Sequence, residues 1–200
     1  RIIERLYPPK SPYRFDVIGV ELLGSIYERY LGKTIRPTAK TVRVEDKPEV
    51  RKAGGVYYTP KYIVDYIVKS TVGKVIEGKT PKQIEKIRIL DPACGSGSFL
   101  IGAFQYLIDY HVRYLTAHPK EARVHPLFPD LIPDGNGGHR LSVRLKARIL
   151  RHNLFGVDID PQAVEVTKLS LLLKVLEGEN RETLAKQLRI FRERALPDLA

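Results

Sequence analysis

A nine-residue stretch near the middle of the chain, Asp91-Pro92-Ala93-Cys94-Gly95-Ser96-Gly97-Ser98-Phe99, constrains the fold more than any other feature. It follows a short apolar run at 87–90 and opens an apolar-periodic stretch at 99–114, so it reads as the turn of a strand–turn–helix unit. Gly95 and Gly97 let the backbone approach a ligand closely, and the helix that follows offers unpaired N–H groups at its start. A nucleotide-like cofactor fits such a turn, although two glycines alone equally fit a tight turn that holds no ligand. The dinucleotide fingerprint has a third glycine three positions after the second; here that position is Leu100, and an acid, Asp91, stands directly before the turn. Such an acid can accept hydrogen bonds from an ammonium group, which a pyrophosphate lacks and the methionine part of S-adenosylmethionine has. No Gly-Lys-Ser/Thr follows the glycines, which excludes a P-loop.

Around this turn the pattern alternates. Apolar residues at Phe15, Ile18, Leu22, Ile26 and Tyr30 mark one face of an N-terminal helix over 15–31, stopped by Gly32. Residues 33–55 are polar and charged, carry Pro37 and Pro48, and read as a connector or a weakly structured arm. Thr59-Pro60 predicts the start of a second helix, with Thr59 as N-cap, running to about Ile76. Residues 116–140 break the pattern with Pro119, Pro126, Pro129, Pro133 and the run Asp134-Gly135-Asn136-Gly137-Gly138, and read as a surface excursion. A helix over 141–152 then leads into a second buried strand near 154–157, and Asp160-Pro161 caps a further helix reaching Leu176. Strands alternating with helices predict a parallel, doubly wound sheet. The runs at 87–90 and 154–157 should be adjacent and parallel, so that Asp91 and Asp158 converge at its carboxyl edge.

Two further segments carry candidate chemistry. In Gly156-Val157-Asp158-Ile159-Asp160-Pro161, a carboxylate at the end of the second strand can reach two ribose hydroxyls, and the neighbouring Ile159 can cover an adenine face. The competing reading leaves Asp158 a surface acid and Asp160 an N-cap. Asp158 lies 67 positions after Asp91, far beyond the usual spacing of about 20 between glycine turn and acid, and the excursion accounts for the surplus. In Gly54-Gly55-Val56-Tyr57-Tyr58-Thr59-Pro60, a capped helix start can hold an anion such as a methionine carboxylate, or be a plain helix start.

Together the three segments resemble the N6-adenine DNA methyltransferases of bacterial and archaeal restriction-modification systems, particularly large enzymes in which a methylase is fused to, or works with, a nuclease. In that family a Thr-Pro segment precedes Asp-Pro-Ala-Cys-Gly-Ser-Gly, and Gly-Val-Asp/Glu-Ile-Asp follows it. The likeness covers about 23–176, including Leu23-Gly24-Ser25-Ile26-Tyr27-Glu28, which looks like a helix found upstream in these enzymes. The resemblance implies an incomplete class I S-adenosylmethionine-dependent methyltransferase of α/β class, with a doubly wound, mostly parallel sheet over 54–200 and an N-terminal helical extension and connector over 1–53. It places Tyr58, Thr59 and Pro60 near the methionine carboxylate. Asp91, Pro92, Ala93, Cys94, Gly95, Ser96, Gly97 and Phe99 would surround methionine and ribose, with Asp158 on the ribose hydroxyls and Ile159 against adenine. Double-stranded DNA, a fused or separate nuclease and a target-recognition domain are the implied partners.

Composition agrees without deciding. With 43% hydrophobic and 28% charged residues, 200 residues suffice for one α/β domain plus an extension. No apolar run approaches the roughly 18 to 20 residues of a membrane span, no signal peptide opens the chain, and a cytoplasmic protein is expected. A single cysteine, Cys94, excludes an intrachain disulfide and a cysteine-based zinc site. The formal charge of +11 favours a polyanionic partner, or equally a solvated basic surface. A start at Arg1 and the lack of any methionine predict a piece of a longer chain. The family's catalytic loop, Asn/Asp/Ser-Pro-Pro-aromatic, is missing: the sole Pro-Pro pair lies in Tyr7-Pro8-Pro9-Lys10 with its aromatic on the wrong side. A methyltransferase module acting on RNA or protein, and a non-catalytic DNA-binding subunit that keeps the fold as scaffold, therefore stand as alternatives.

Overall fold

A computed structural model describes residues 19–31, 33–38, 40–46, 59–123 and 129–179. Helix α1 (Val20–Leu31) is followed by a hairpin of β1 (Lys33–Pro37) and β2 (Val42–Asp46). Helix α2 (Lys61–Val68) continues through a π-helical turn (Lys69–Gly73) into the single turn α3 (Lys74–Ile76), and α4 (Pro81–Ile84) leads to β3 (Ile89–Asp91). The long α5 (Ser98–Ala117) is separated by the strands β4 (Leu131–Pro133) and β5 (His139–Leu141) from α6 (Val143–Asn153), β6 (Leu154–Gly156) and α7 (Pro161–Leu176). No helix among the described residues is long and apolar enough to cross a membrane.

Strands β3 and β6 pair in parallel, Ile89 beside Leu154, Leu90 beside Phe155 and Asp91 beside Gly156, as the alternation of the sequence requires. Val157 N donates to Asp91 O and Cys94 N to Val157 O, both at 2.9 Å, so the pairing runs on into the glycine turn. Asn153, 2% exposed, fixes where this pair begins. Its Nδ2 donates to the carbonyls of Ile84 (2.7 Å) and Ile87 (2.8 Å), joining the end of α6 to the approach to β3.

Helix α5 is the axis of the core. Leu100, Ile101, Phe104, Leu107, Ile108, His111 and Leu115 repeat every three or four positions and are all buried. Gly102, on the α2 side, lets the two helices close, because a Cβ there would stand 2.5 Å from Val64 Cγ1. Thr71 Oγ1 donates to Ile67 O within the π-helical turn, offering that carbonyl an alternative to the regular helical bond.

The helix starts follow local chemistry. Thr80 and Gln83 form a reciprocal capping box, Ser142 Oγ accepts from Leu145 N, and Asp160 Oδ1 accepts from Gln162 N ahead of Pro161. The start of α2 differs from expectation. Pro60, not Thr59, is the N-cap, since its ψ of 142° is extended, and no side chain caps the helix. Within the stretch read as a connector or weakly structured arm, β1 and β2 form an antiparallel hairpin, while residues 47–55 lie outside those described: Thr38 N and Oγ1 both bond Thr41 O, joining the two strands by polar contacts, and Ile35 and Val44 stay exposed. The excursion likewise contains an antiparallel pair. Asp134 Oδ1 accepts from Asn136 N and Gly138 N and closes the turn between β4 and β5; these bonds hold its carboxyl below the ordinary aspartate range.

Candidate functional site

The glycine turn sits where β3 and β6 end together. Gly95 (φ 53°) and Gly97 (φ 85°) both occupy left-handed backbone, and Gly97 is also the N-cap of α5. A Cβ on Gly97 would lie 2.7 Å from Thr167 Cγ2, so α7 leaves no room there for a side chain. Thr167 Oγ1 donates to Gly95 O at 2.8 Å, binding α7 to the turn. Asp158, arriving from β6, accepts from Gly95 N through Oδ2 and from Asp160 N through Oδ1, each at 2.8 Å. Two acids that are 67 positions apart in the sequence thus meet at one sheet edge.

Asp91 is used only in part. Its Oδ1 accepts from Ala93 N at 3.1 Å, whereas Oδ2 is buried with no hydrogen-bond partner among the described residues. A buried acceptor without a partner costs about 1–3 kcal/mol, more if charged, so this oxygen is suited to a ligand donor. The surroundings are anionic. Burial first, then Asp160 and Asp158, pushes the Tyr27 hydroxyl up to about 12. Burial, followed by Asp158 and Asp91, likewise raises the Cys94 thiol and keeps it protonated at neutral pH. Such an environment opposes a pyrophosphate and favours a ligand that carries a cationic donor and hydroxyls.

Of the residues singled out from sequence, Asp91, Gly95, Gly97 and Asp158 are brought together. Cys94 is 5% exposed and packs under β6, 3.2 Å from where a Cβ on Gly156 would stand, so only its backbone belongs to the turn. Ser96 turns its hydroxyl toward α1 and donates to Glu28 Oε1. Pro92 and Ala93 are exposed on the turn, Phe99 is half-buried against the core, and Ile159 is 96% exposed beside Asp158. Thr59 and Pro60 stand at the start of α2, whose first residue, Lys61, lines one cleft with Ser98 of α5 and Gly24 of α1; Tyr58 lies outside the described residues. Tyr27, Glu28 and Thr167 were not among the candidates. Helical periodicity marks the face of a helix but not which distant turn it touches.

Comparison with known proteins agrees with this geometry. Residues 74–197 match the family model described as MmeI, DNA-methyltransferase domain. The type II restriction enzyme and methyltransferase RM.Eco57I of Escherichia coli is 34% identical over 195 residues, covering 95% of this chain and 18% of that protein. A putative type II restriction enzyme and methyltransferase of Methanocaldococcus jannaschii, RM.MjaORFECS2P, is 27% identical across 84% of the chain and 15% of its own length. The adenine-specific methyltransferase BrxX of Escherichia coli is 26% identical across 81% of the chain and 14% of its own length. The chain thus spans less than a fifth of these relatives. With a family match over most of its length and a glycine turn locked to the acid of the following strand, the chain belongs to the MmeI-type DNA-methyltransferase domain family.

Proposed function

We propose that this chain is the S-adenosylmethionine-binding part of a site-specific DNA methyltransferase that methylates adenine N6 in a restriction-modification or phage-defence system. The observation that carries the reading is the joint between strands: Gly95 N is held by Asp158, while Asp91 keeps one buried, unpartnered oxygen. These residues fit the cofactor. Asp91 Oδ2 would accept from its ammonium group. Asp158 uses one acceptor position on each oxygen and retains others for ribose hydroxyls, and the exposed Ile159 would lie against adenine. Tyr58, Thr59 and Pro60 would meet the methionine carboxylate, and the backbone from Asp91 to Gly97, with Phe99, would wrap the rest. When bound, the cofactor supplies a methyl group on a sulfonium centre; this chain's residues orient it and hold its polar groups.

On this reading β3 and β6 are two strands of a doubly wound, mostly parallel class I methyltransferase sheet. Residues 54–200 would belong to that domain and 1–53 to an extension preceding it. Double-stranded DNA would be the substrate, a nuclease and a target-recognition domain would be partners, and the enzyme would work in the cytoplasm. The names of the relatives, two of which join restriction enzyme and methyltransferase, support the reading. The test uses the full-length protein, DNA free of adenine methylation and a donor labelled in its methyl group. N6-methyladenine should be the labelled nucleoside, and Asp91→Ala should lower its formation at least tenfold. Label appearing only in cytosine, RNA or protein would overturn the proposal.

A further inference from the structure

Helix α1 lies outside residues 74–197, the segment that matches the methyltransferase family, yet it is packed directly onto the glycine turn. A Cβ on Gly24 would stand 3.1 Å from Ser96 Oγ, tighter than an ordinary van der Waals contact, so the helix backbone lies close against the turn. One helical turn later Glu28 accepts from the Ser96 hydroxyl through Oε1, and this oxygen lies 3.8 Å from where a Cβ on Gly95 would be. The carboxylate therefore stands over the glycine at which a ligand can approach the backbone. Its second oxygen, Oε2, is buried with no partner among the described residues, and so is the hydroxyl of the adjacent Tyr27. Burial first, then the charges of Asp160 and Asp158, raise the pKa of that hydroxyl.

The described residues contain four buried, unpartnered side-chain polar atoms, on Tyr27, Glu28, Asp91 and Ser170. Three of them belong to the turn, at Asp91, or to the helix docked on it, at Tyr27 and Glu28, which a helix serving only as a brace does not explain. A brace would use Glu28 Oε1 and leave no reason to bury Oε2 and the Tyr27 hydroxyl without partners. We propose that Tyr27 and Glu28 are contact residues of the cofactor site, Glu28 Oε2 accepting a hydrogen bond from a donor group of bound S-adenosylmethionine and the Tyr27 hydroxyl bonding a second polar group. The inference rests on the cofactor reading given above. It adds that the site is completed from upstream of the methyltransferase segment, so that α1 must be docked for tight binding.

Glu28→Gln separates contact from brace. Glutamine keeps an oxygen that can accept from Ser96 but puts an N–H₂ group in place of Oε2, against a ligand donor. In the full-length protein, calorimetric affinity for S-adenosylmethionine should fall about tenfold or more in Glu28→Gln and by a few-fold in Tyr27→Phe, with the melting temperature of the unliganded proteins not lowered, since neither variant removes a bond that the free protein makes with these atoms. Wild-type affinity in a folded Glu28→Gln would overturn the proposal. Should that variant fail to fold, Tyr27→Phe, which removes a single oxygen, decides in the same way. No binding of S-adenosylmethionine by the wild-type protein would overturn both this proposal and the cofactor reading, whereas wild-type binding with unaffected variants would overturn this one alone.

Discussion

His111 shows how one side chain ties the core to solution conditions. It is 3% exposed on α5, and its Nδ1 lies 2.7 Å from Leu107 O, so this nitrogen carries the proton of a neutral ring. Burial is the largest influence and lowers its pKa below the ordinary 6.5; Arg148 adds to the depression, while the Leu107 carbonyl, Asp130 and Glu85 oppose it. The unfolded chain therefore binds more protons than the folded one between the depressed value and 6.5. Stability rises with pH across that window, and it is lost as pH falls below about 6.5. The urea midpoint should thus decline on acidification from about pH 7 to 5.5. His111→Phe should flatten that slope while changing stability at pH 7 by less than about 1.5 kcal/mol, because volume is nearly kept. An equally steep slope in the variant would assign the acid sensitivity to other groups. At the turn, by contrast, chemistry was legible residue by residue: only glycine suits φ near 53° and 85°, and Asp160-Pro161 spells a helix start. Asp158 was legible as a strand-end acid, but not its bond to Gly95, which depends on which strands become neighbours.

Between elements, the joints are made by residues that no periodic pattern reveals. Asn153 ends α6 and looks like an ordinary polar terminus, yet its two N–H bonds link α6, α4 and the start of β3 across 66 to 69 positions. Asn153→Asp keeps the shape but sets an acceptor oxygen against two carbonyls. Both carbonyls lose their donor, and a buried charge gains no partner, so unfolding free energy should drop by roughly 3 kcal/mol or more at neutral pH. A loss under about 1 kcal/mol in denaturant titration would mean that Asn153 does not set this joint. The hairpin β1–β2 was missed for a related reason. Its turn is closed by Thr38 and Thr41, and its apolar residues Ile35, Val42 and Val44 are 64–70% exposed, so no buried face marked it in the sequence. The docking of α1 on Ser96, 68 positions away, left no local trace either. What sequence carried well were turns, caps and the alternation of strand and helix; pairings that depend on tertiary contact lay beyond it.

On the scale of the whole molecule, binding a methyl donor and transferring its methyl group are separable tasks. The described residues supply the convergent acids and the glycine turn, but they hold just two parallel strands, whose central residues Leu90 and Phe155 remain 61% and 42% exposed. Parallel sheets ordinarily bury both faces, and among the described residues nothing covers these two side chains fully. Transfer to an adenine amine further needs that amine held in line with the donor methyl, and such alignment contributes a large part of catalytic power, about 7–11 kcal/mol in well-oriented systems. The groups that could hold a flipped base, an amine acceptor with two prolines and a stacking aromatic, occur nowhere in these 200 residues in that order. We therefore predict that the 200-residue chain by itself binds S-adenosylmethionine more weakly than the full-length protein and transfers no methyl group to DNA. With a charge of +11 it should still bind duplex DNA without sequence preference, and that affinity should fall steeply as salt rises, because phosphate contacts release counterions. Both proteins would be incubated with tritiated donor and DNA free of adenine methylation, with DNA binding measured across a salt series. Label on DNA from the short chain alone would show that the reacting groups are already present in it. Label from the full-length protein only, beside salt-sensitive binding by both, would place donor binding in this chain and base capture elsewhere in the enzyme.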